Sequence, residues 1–278
     1  MESTEAHLNL DLDKLKNIAV LGVKRAAAFC AIALNATNDP AIQSIALPSV
    51  SMWRFFPEPP PEKLLLNSVA EFRIWVVGCA LREVDAAFNE FLDHAWQMNE
   101  LSKLHGKRIK SDLRIDSIEA KTNVGTKMAL LLEQLGEEKP DTAKLWSLSN
   151  LRNCLTHARG VVTERHANEK GGLKIVWQGL EIGFQQGEEF VPIPNPIPKE
   201  GIMAPNPTEP ASIAIRVVDK EQIFPTGSTI SIDPGVLHEI CHFYLTSTDR
   251  VVGKLLKAMS DRGLPVAQKA TTLSETES

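Results

Sequence analysis

The run Leu151-Arg152-Asn153-Cys154-Leu155-Thr156-His157 decides how this 278-residue chain is read. Leu145, Leu148, Leu151, Leu155 and Val162 fall three, three, four and seven residues apart, the recurrence of one apolar face of a helix. Asp141 or Thr142 opens that helix as its N-cap, and it runs to about Ala158, just before Gly160. The run therefore puts an arginine, a neutral amide and a histidine within about one and a half helical turns. An arginine fork holds phosphate oxygens, and a histidine moves protons near neutral pH. RNA carries its own nucleophile in the 2′-hydroxyl, so these groups suffice to cut it without a metal. Asn153 is placed to orient the histidine or to bond the phosphate. At about 100° per residue Asn153 and His157 nearly align, whereas Arg152 lies about 140° from His157. Two copies of the helix facing each other across a two-fold axis would bring arginine and histidine to one cleft.

Upstream, Leu12, Leu15, Ile18, Ala19 and Ala26 predict a helix from about Leu12 to Asn35. A loop follows with Asn38-Asp39-Pro40, Pro48 and the proline run from Pro57 to Pro61, broken by Glu58. Residues 1–61 are read as an N-terminal helical arm and Pro-rich linker, with Trp53, Phe55 and Phe56 docking on the body. From Glu62 to Asn99 the pattern is one long helix whose stripe is Leu81, Val84, Ala87, Phe88, Phe91 and Leu92. Another helix is expected from about Ile115 to Leu135, ended by Gly136 and Pro140. After Gly160 the character changes. Gly171-Gly172 precedes Leu173 to Trp177, and Gly179 separates that run from Leu180 to Phe184, the signals of a hairpin. Val191 to Pro210 holds seven prolines and reads as a loop. Ile213 to Val218 and Thr229 to Ile232 read as short strands. Asp233-Pro234 then starts a last helix to about Ser260, with Ile240, Phe243, Val251, Leu255 and Met259 inward. The fold class is thus mainly α: an antiparallel helical bundle over 62–262, with a small β insertion at about 171–232 before the last helix. Residues 263–278 read as a disordered tail.

The segment Arg152-Asn153-Cys154-Leu155-Thr156-His157, followed by Ala158-Arg159-Gly160, resembles the signature helix of HEPN domains. In that family an arginine and a polar residue precede a histidine by four to six intervening positions, and here four intervene. The resemblance implies a helical bundle, usually dimeric, with a composite site between subunits. It implies metal-independent endoribonuclease cleavage that leaves a 2′,3′-cyclic phosphate, in toxin–antitoxin, phage-defence or RNA-processing settings. By the same resemblance Arg152, Asn153 and His157 are the catalytic residues and RNA is the partner. A neutralising or activating protein is a further implied partner. Glu83 and Asp85 on the long helix are placed either to line the cleft and tune His157 or on a solvated face. The alternative within the family is a non-catalytic interaction or RNA-binding module.

A second motif competes. His238-Glu239-Ile240-Cys241-His242 matches the zinc-peptidase helix as a string, with His238 and His242 as ligands and Glu239 as general base. No Gly-x-x-His follows it, and Asp249 and Asp261 are the only acids before the tail, so a packed helix with boundary histidines is the preferred reading. No P-loop, GxGxxG or nucleophile elbow occurs, and no cofactor is indicated.

The bulk properties bound these readings. A net charge of −5 excludes a protein that coats nucleic acid with an overall basic surface, though not a nuclease with a local site. The basic stretch Lys103, Lys107, Arg108, Lys110, Arg114, Lys121 and Lys127 is read as a solvated face, with a phosphate-facing rim as the sharper alternative. Cys30, Cys79, Cys154 and Cys241 form no CxxC pair, which favours free thiols in a reducing cytoplasm. No membrane span is expected: Ala26 to Ala36 is the best candidate and is too short.

Overall fold

The computed structural model describes residues 10–37, 62–107, 118, 123–194, 202, 206, 208 and 210–265. The elements in chain order are α1 (Leu12–Ala36), α2 (Glu62–Ser102), α3 (Val124–Gln134), α4 (Ala143–His157), β1 (Gly172–Gln186), β2 (Glu189–Pro192), β3 (Ser212–Pro225) and α5 (Pro234–Asp261). The chain is mainly α, with a three-stranded antiparallel sheet of order β2-β1-β3 inserted between α4 and α5.

The 41-residue α2 is the axis of the molecule. Its predicted stripe of Leu81, Val84, Ala87, Phe88, Phe91 and Leu92 is buried, and Val76, Val77, Ala80 and Ala95 extend it. Burying each large member stabilises the fold by about 1.5–3 kcal/mol. Phe88 meets Phe91 at 5.6 Å and stands edge-on to Tyr244 of α5 at 5.3 Å. The stripe on α4 (Leu145, Leu148, Leu151, Leu155) is buried as the spacing required, and so are Ile240, Phe243, Val251, Leu255 and Met259 of α5.

The first helix is no arm. Leu15, Ala19, Val23, Ala26 and Cys30 belong to the same core as α2 and α5. Successive contacts run Lys14 and Leu15 beside His94 and Gln97, Arg25 to Glu83, then Thr37 to Arg73, so α1 and α2 are antiparallel. Their closest approach is at Gly22, where an added Cβ would sit 2.1 Å from that of Ala87. The proline-rich connection marked a long linker, and nothing in it showed that the helix before the linker returns to the bundle. By length and composition α1 is also long and apolar enough to cross a membrane, contrary to expectation. Its inner face packs on α2 and α5, while Leu21, Phe29 and Ile32 are exposed.

Helix boundaries follow local chemistry. Asp141 accepts from the Ala143 amide, whereas Thr142, the residue at the cap position, makes no side-chain cap bond. α3 starts at Val124, after Asn123, whose side chain accepts from the Thr126 amide; the stretch 115–122 of the predicted helix, Ile118 apart, lies outside the described residues. Asp233 caps α5 with Pro234 in its first turn.

The sheet departs from the expected pair of short strands around Gly179. β1 is one strand of 15 residues, the turn lies at Gly187-Glu188, and β3 pairs with β1 from Gly172↔Pro225 to Gln185↔Ser212. Gly179 sits inside the strand because α5 approaches there: an added Cβ would lie 2.7 Å from the Glu239 carboxylate. Thr229 makes only an isolated bridge with Val161. The loop at 38–61 with Trp53, Phe55 and Phe56, the basic residues Arg108, Lys110, Arg114 and Lys121, and the tail beyond residue 265 lie outside the described residues. Lys127 does not join a solvated face: it is buried and paired with Asp93 at 2.6 Å.

Gly22→Ala tests the place of α1. The added methyl must push α1 from α2, so stability to chemical denaturation should fall by about 1–3 kcal/mol. An unchanged denaturation midpoint would mean that α1 is not part of the cooperative core.

Candidate functional site on the fourth helix

The apolar stripe of α4 turns Arg152 toward α2. There its Nη2 donates to Asp85 Oδ2 at 2.8 Å. Asp85 is only 5% exposed, and a buried carboxylate persists only when paired and hydrogen-bonded. Two further donors serve it: Tyr244 Oη on α5 at 3.2 Å and Ser149 Oγ on α4 at 3.5 Å, both to Oδ1. One carboxylate on α2 thus joins three helices. Burial pushes the Tyr244 hydroxyl well above its ordinary pKa of 10.0, and the neighbouring Asp85 charge pushes it further, so Tyr244 remains a donor.

Beside this cluster is a cavity of about 260 Å3 lined by Arg82, Asp85, Ala86, Asn89, Asn123, Val124 and Arg152. Its two arginines outnumber its one carboxylate, and Asn89 and Asn123 add neutral polar groups. Arg152 Nε is buried and has no hydrogen-bond acceptor among the described residues. A buried donor without a partner costs about 1–3 kcal/mol.

His157 does not reach this cavity. It is the last residue of α4, exposed, with no side-chain hydrogen bond among the described residues. The chain leaves the helix immediately after it: the Ala158 and Gly160 amides both close on the Cys154 carbonyl, with Arg159 at φ 52° and Gly160 at φ 75°. Asn153 is half exposed and likewise makes no side-chain bond. One protomer therefore does not bring Arg152 and His157 together, in keeping with their angular separation on the helix. Of the two acids singled out beside them, Asp85 is at the arginine, whereas Glu83 faces α1 and pairs with Arg25 at 2.5 Å. Arg82, Asn89, Asn123, Tyr244 and Ser149 were not foreseen. Only the tyrosine carried a signal, as the single tyrosine of the chain.

The second motif is a packing device. Glu239 accepts from Trp177 Nε1 at 2.8 Å and from Lys220 Nζ at 2.6 Å, fastening α5 to β1 and β3. His238 is exposed and His242 half-buried. Among the described residues no group of three or more histidines, cysteines and acids is placed to hold a metal ion. With its general-base carboxylate committed to two donors, the helix does not fit a zinc-peptidase site.

No protein-family model matches this chain, no curated protein matches it, and no solved structure matches it.

Two outcomes check the cluster. Arg152→Ala leaves Asp85 without its charged partner and should cost about 2–3 kcal/mol in denaturant unfolding, less than a fully buried pair because the arginine is partly exposed. His157→Ala should leave the midpoint unchanged, and equal effects of the two would contradict the geometry. Because Tyr244 is the only tyrosine, phenolate absorbance reports it alone. A raised folded pKa contributes stability that is full below 10.0 and is lost as pH rises toward the folded value. The folded protein should show no phenolate through pH 10 until it unfolds, and ionisation near pH 10 in the folded state would place the hydroxyl in solvent.

Proposed function

We propose that this protein is a metal-independent endoribonuclease of the HEPN type, working as a homodimer with a composite site. The observation that carries the reading is Arg152, anchored on buried Asp85 and lining a cavity that also holds Arg82 and two asparagines. A phosphodiester supplies the anionic oxygens such a cavity takes. His157 of a second copy takes the proton of the 2′-hydroxyl, the 2′ oxygen bonds to phosphorus, and the bond to the 5′ oxygen breaks with return of a proton to that oxygen. The products are a 2′,3′-cyclic phosphate and a 5′-hydroxyl. Arg152 holds the non-bridging oxygens as charge builds on them, and Asn153 adds a donor or orients the histidine. A toxin–antitoxin or phage-defence setting, cytoplasmic residence and a neutralising or activating protein partner belong to this proposal through the family resemblance.

A second reading has its own support. The pairing of Arg152 with Asp85 is also a structural device, and His157 lies outside the cavity, which suits a non-catalytic module that binds RNA phosphate.

Purified protein incubated with total RNA in EDTA decides between them. Cleavage to cyclic phosphate ends, lost in Arg152→Lys and His157→Ala, is the outcome for the enzyme. Mixing the two inactive variants should then restore about a quarter of wild-type activity, because half the dimers are mixed and each carries one intact site of two. RNA binding without cleavage, with or without divalent metal, would give the binding module.

A further inference from the structure

The hairpin changes its apolar phase half-way along. Near its base the side facing the helices is apolar, with Leu173, Ile175, Trp177 and Phe224 buried. The other side there carries the pairs Lys174↔Ile223, Val176↔Glu221 and Gln178↔Asp219, and Lys144 of α4 reaches Asp219 at 3.1 Å. Past Gly179 the order inverts. The inner side carries Glu181 and Arg216, ion-paired at 2.7 Å and partly exposed. The outer side carries three directly opposed pairs, Leu180↔Val217, Ile182↔Ile215 and Phe184↔Ile213. Four of these are strongly exposed: Ile213 71%, Ile215 64%, Val217 57% and Ile182 50%. A contiguous exposed apolar face of this kind marks a surface that another body covers.

We propose that this face packs on the same face of a second copy of the chain, the two hairpins forming a two-layer β-sandwich about a two-fold axis. The patch contains no charged side chain, the condition for a surface to meet its own copy without like charges in contact. Three rows about 6.8 Å apart on strands about 4.8 Å apart, with side-chain widths added, give a footprint of about 300 Å2. That is the size of the apolar centre of an ordinary interface of about 800 Å2 per partner. Facing sheets of β-branched residues interdigitate at about 10 Å, which matches side chains of this length. The inference does not rest on the nuclease reading.

Sedimentation velocity of the full chain across the micromolar range tests it. The wild type should sediment as twice the 30.6 kDa chain. Ile215→Lys, which sets like charges at the centre of the contact, should raise the dimer dissociation constant at least about 30-fold, and Ile213→Glu should act likewise. Both positions are exposed, so circular dichroism and melting temperature should stay unchanged. Arg216→Ala on the opposite face should leave the dimer intact. A wild type that stays monomeric, a dimer that survives both outer-face substitutions, or one lost equally in Arg216→Ala would overturn the proposal.

Discussion

The buried carboxylate of Asp85 is the constraint on which the rest of this structure depends. It sits in the middle of α2, takes a charged donor from α4 and a phenol from α5, and so fixes the rotation of both helices about the central one. Such a cluster rewards one arrangement and penalises every other, because any rearrangement that removes a donor leaves a desolvated charge. It also sets the geometry of the candidate site. Arg152 is held at the wall of the cavity, while His157, five residues on, is carried around the helix to the exposed end of α4. The rigidity that positions the arginine is the same rigidity that keeps the histidine from it, and a site using both must draw on two chains.

The periodic part of the fold was legible in the residues. Stripes on α2, α4 and α5 were read correctly, since a helix buried against others needs an apolar residue every third or fourth position and shows it. Where the reading failed, contacts distant in sequence decided. Asp85 lies off the stripe of α2 and looked fit for a solvated face, but a helix surrounded by four others is buried on more than one side. Lys127 of α3 is likewise buried, its ammonium paired with Asp93 of α2. The place of α1 in the core turns on Gly22 meeting Ala87, 65 positions apart, which no local pattern reports. Arg152 and His157 were visible in the sequence, and so was their angular separation. The company Arg152 keeps was not, because Arg82, Asn89 and Asn123 come from other elements.

Two short strings show how the same residues serve different ends. His238-Glu239-Ile240-Cys241-His242 has the spacing of a metal helix, yet its glutamate is spent on Trp177 and Lys220. Gly179 has the look of a turn, yet it is the point where α5 presses on the sheet and where the strand changes its apolar side. In both cases a tertiary contact assigns the role, and it is the contact of Glu239 with the sheet.

The central proposal is that the guanidinium of Arg152, fixed by Asp85, binds an RNA phosphate. The direct measurement is the nitrogen-15 and proton resonance of its Nε–H group, assigned by its loss in Arg152→Lys, as a 2′-deoxy-substituted RNA oligonucleotide that cannot be cleaved is added. The account predicts a saturable shift of that resonance as an acceptor arrives. A resonance that stays in place while the oligonucleotide binds elsewhere, or that never responds at saturation, would contradict it.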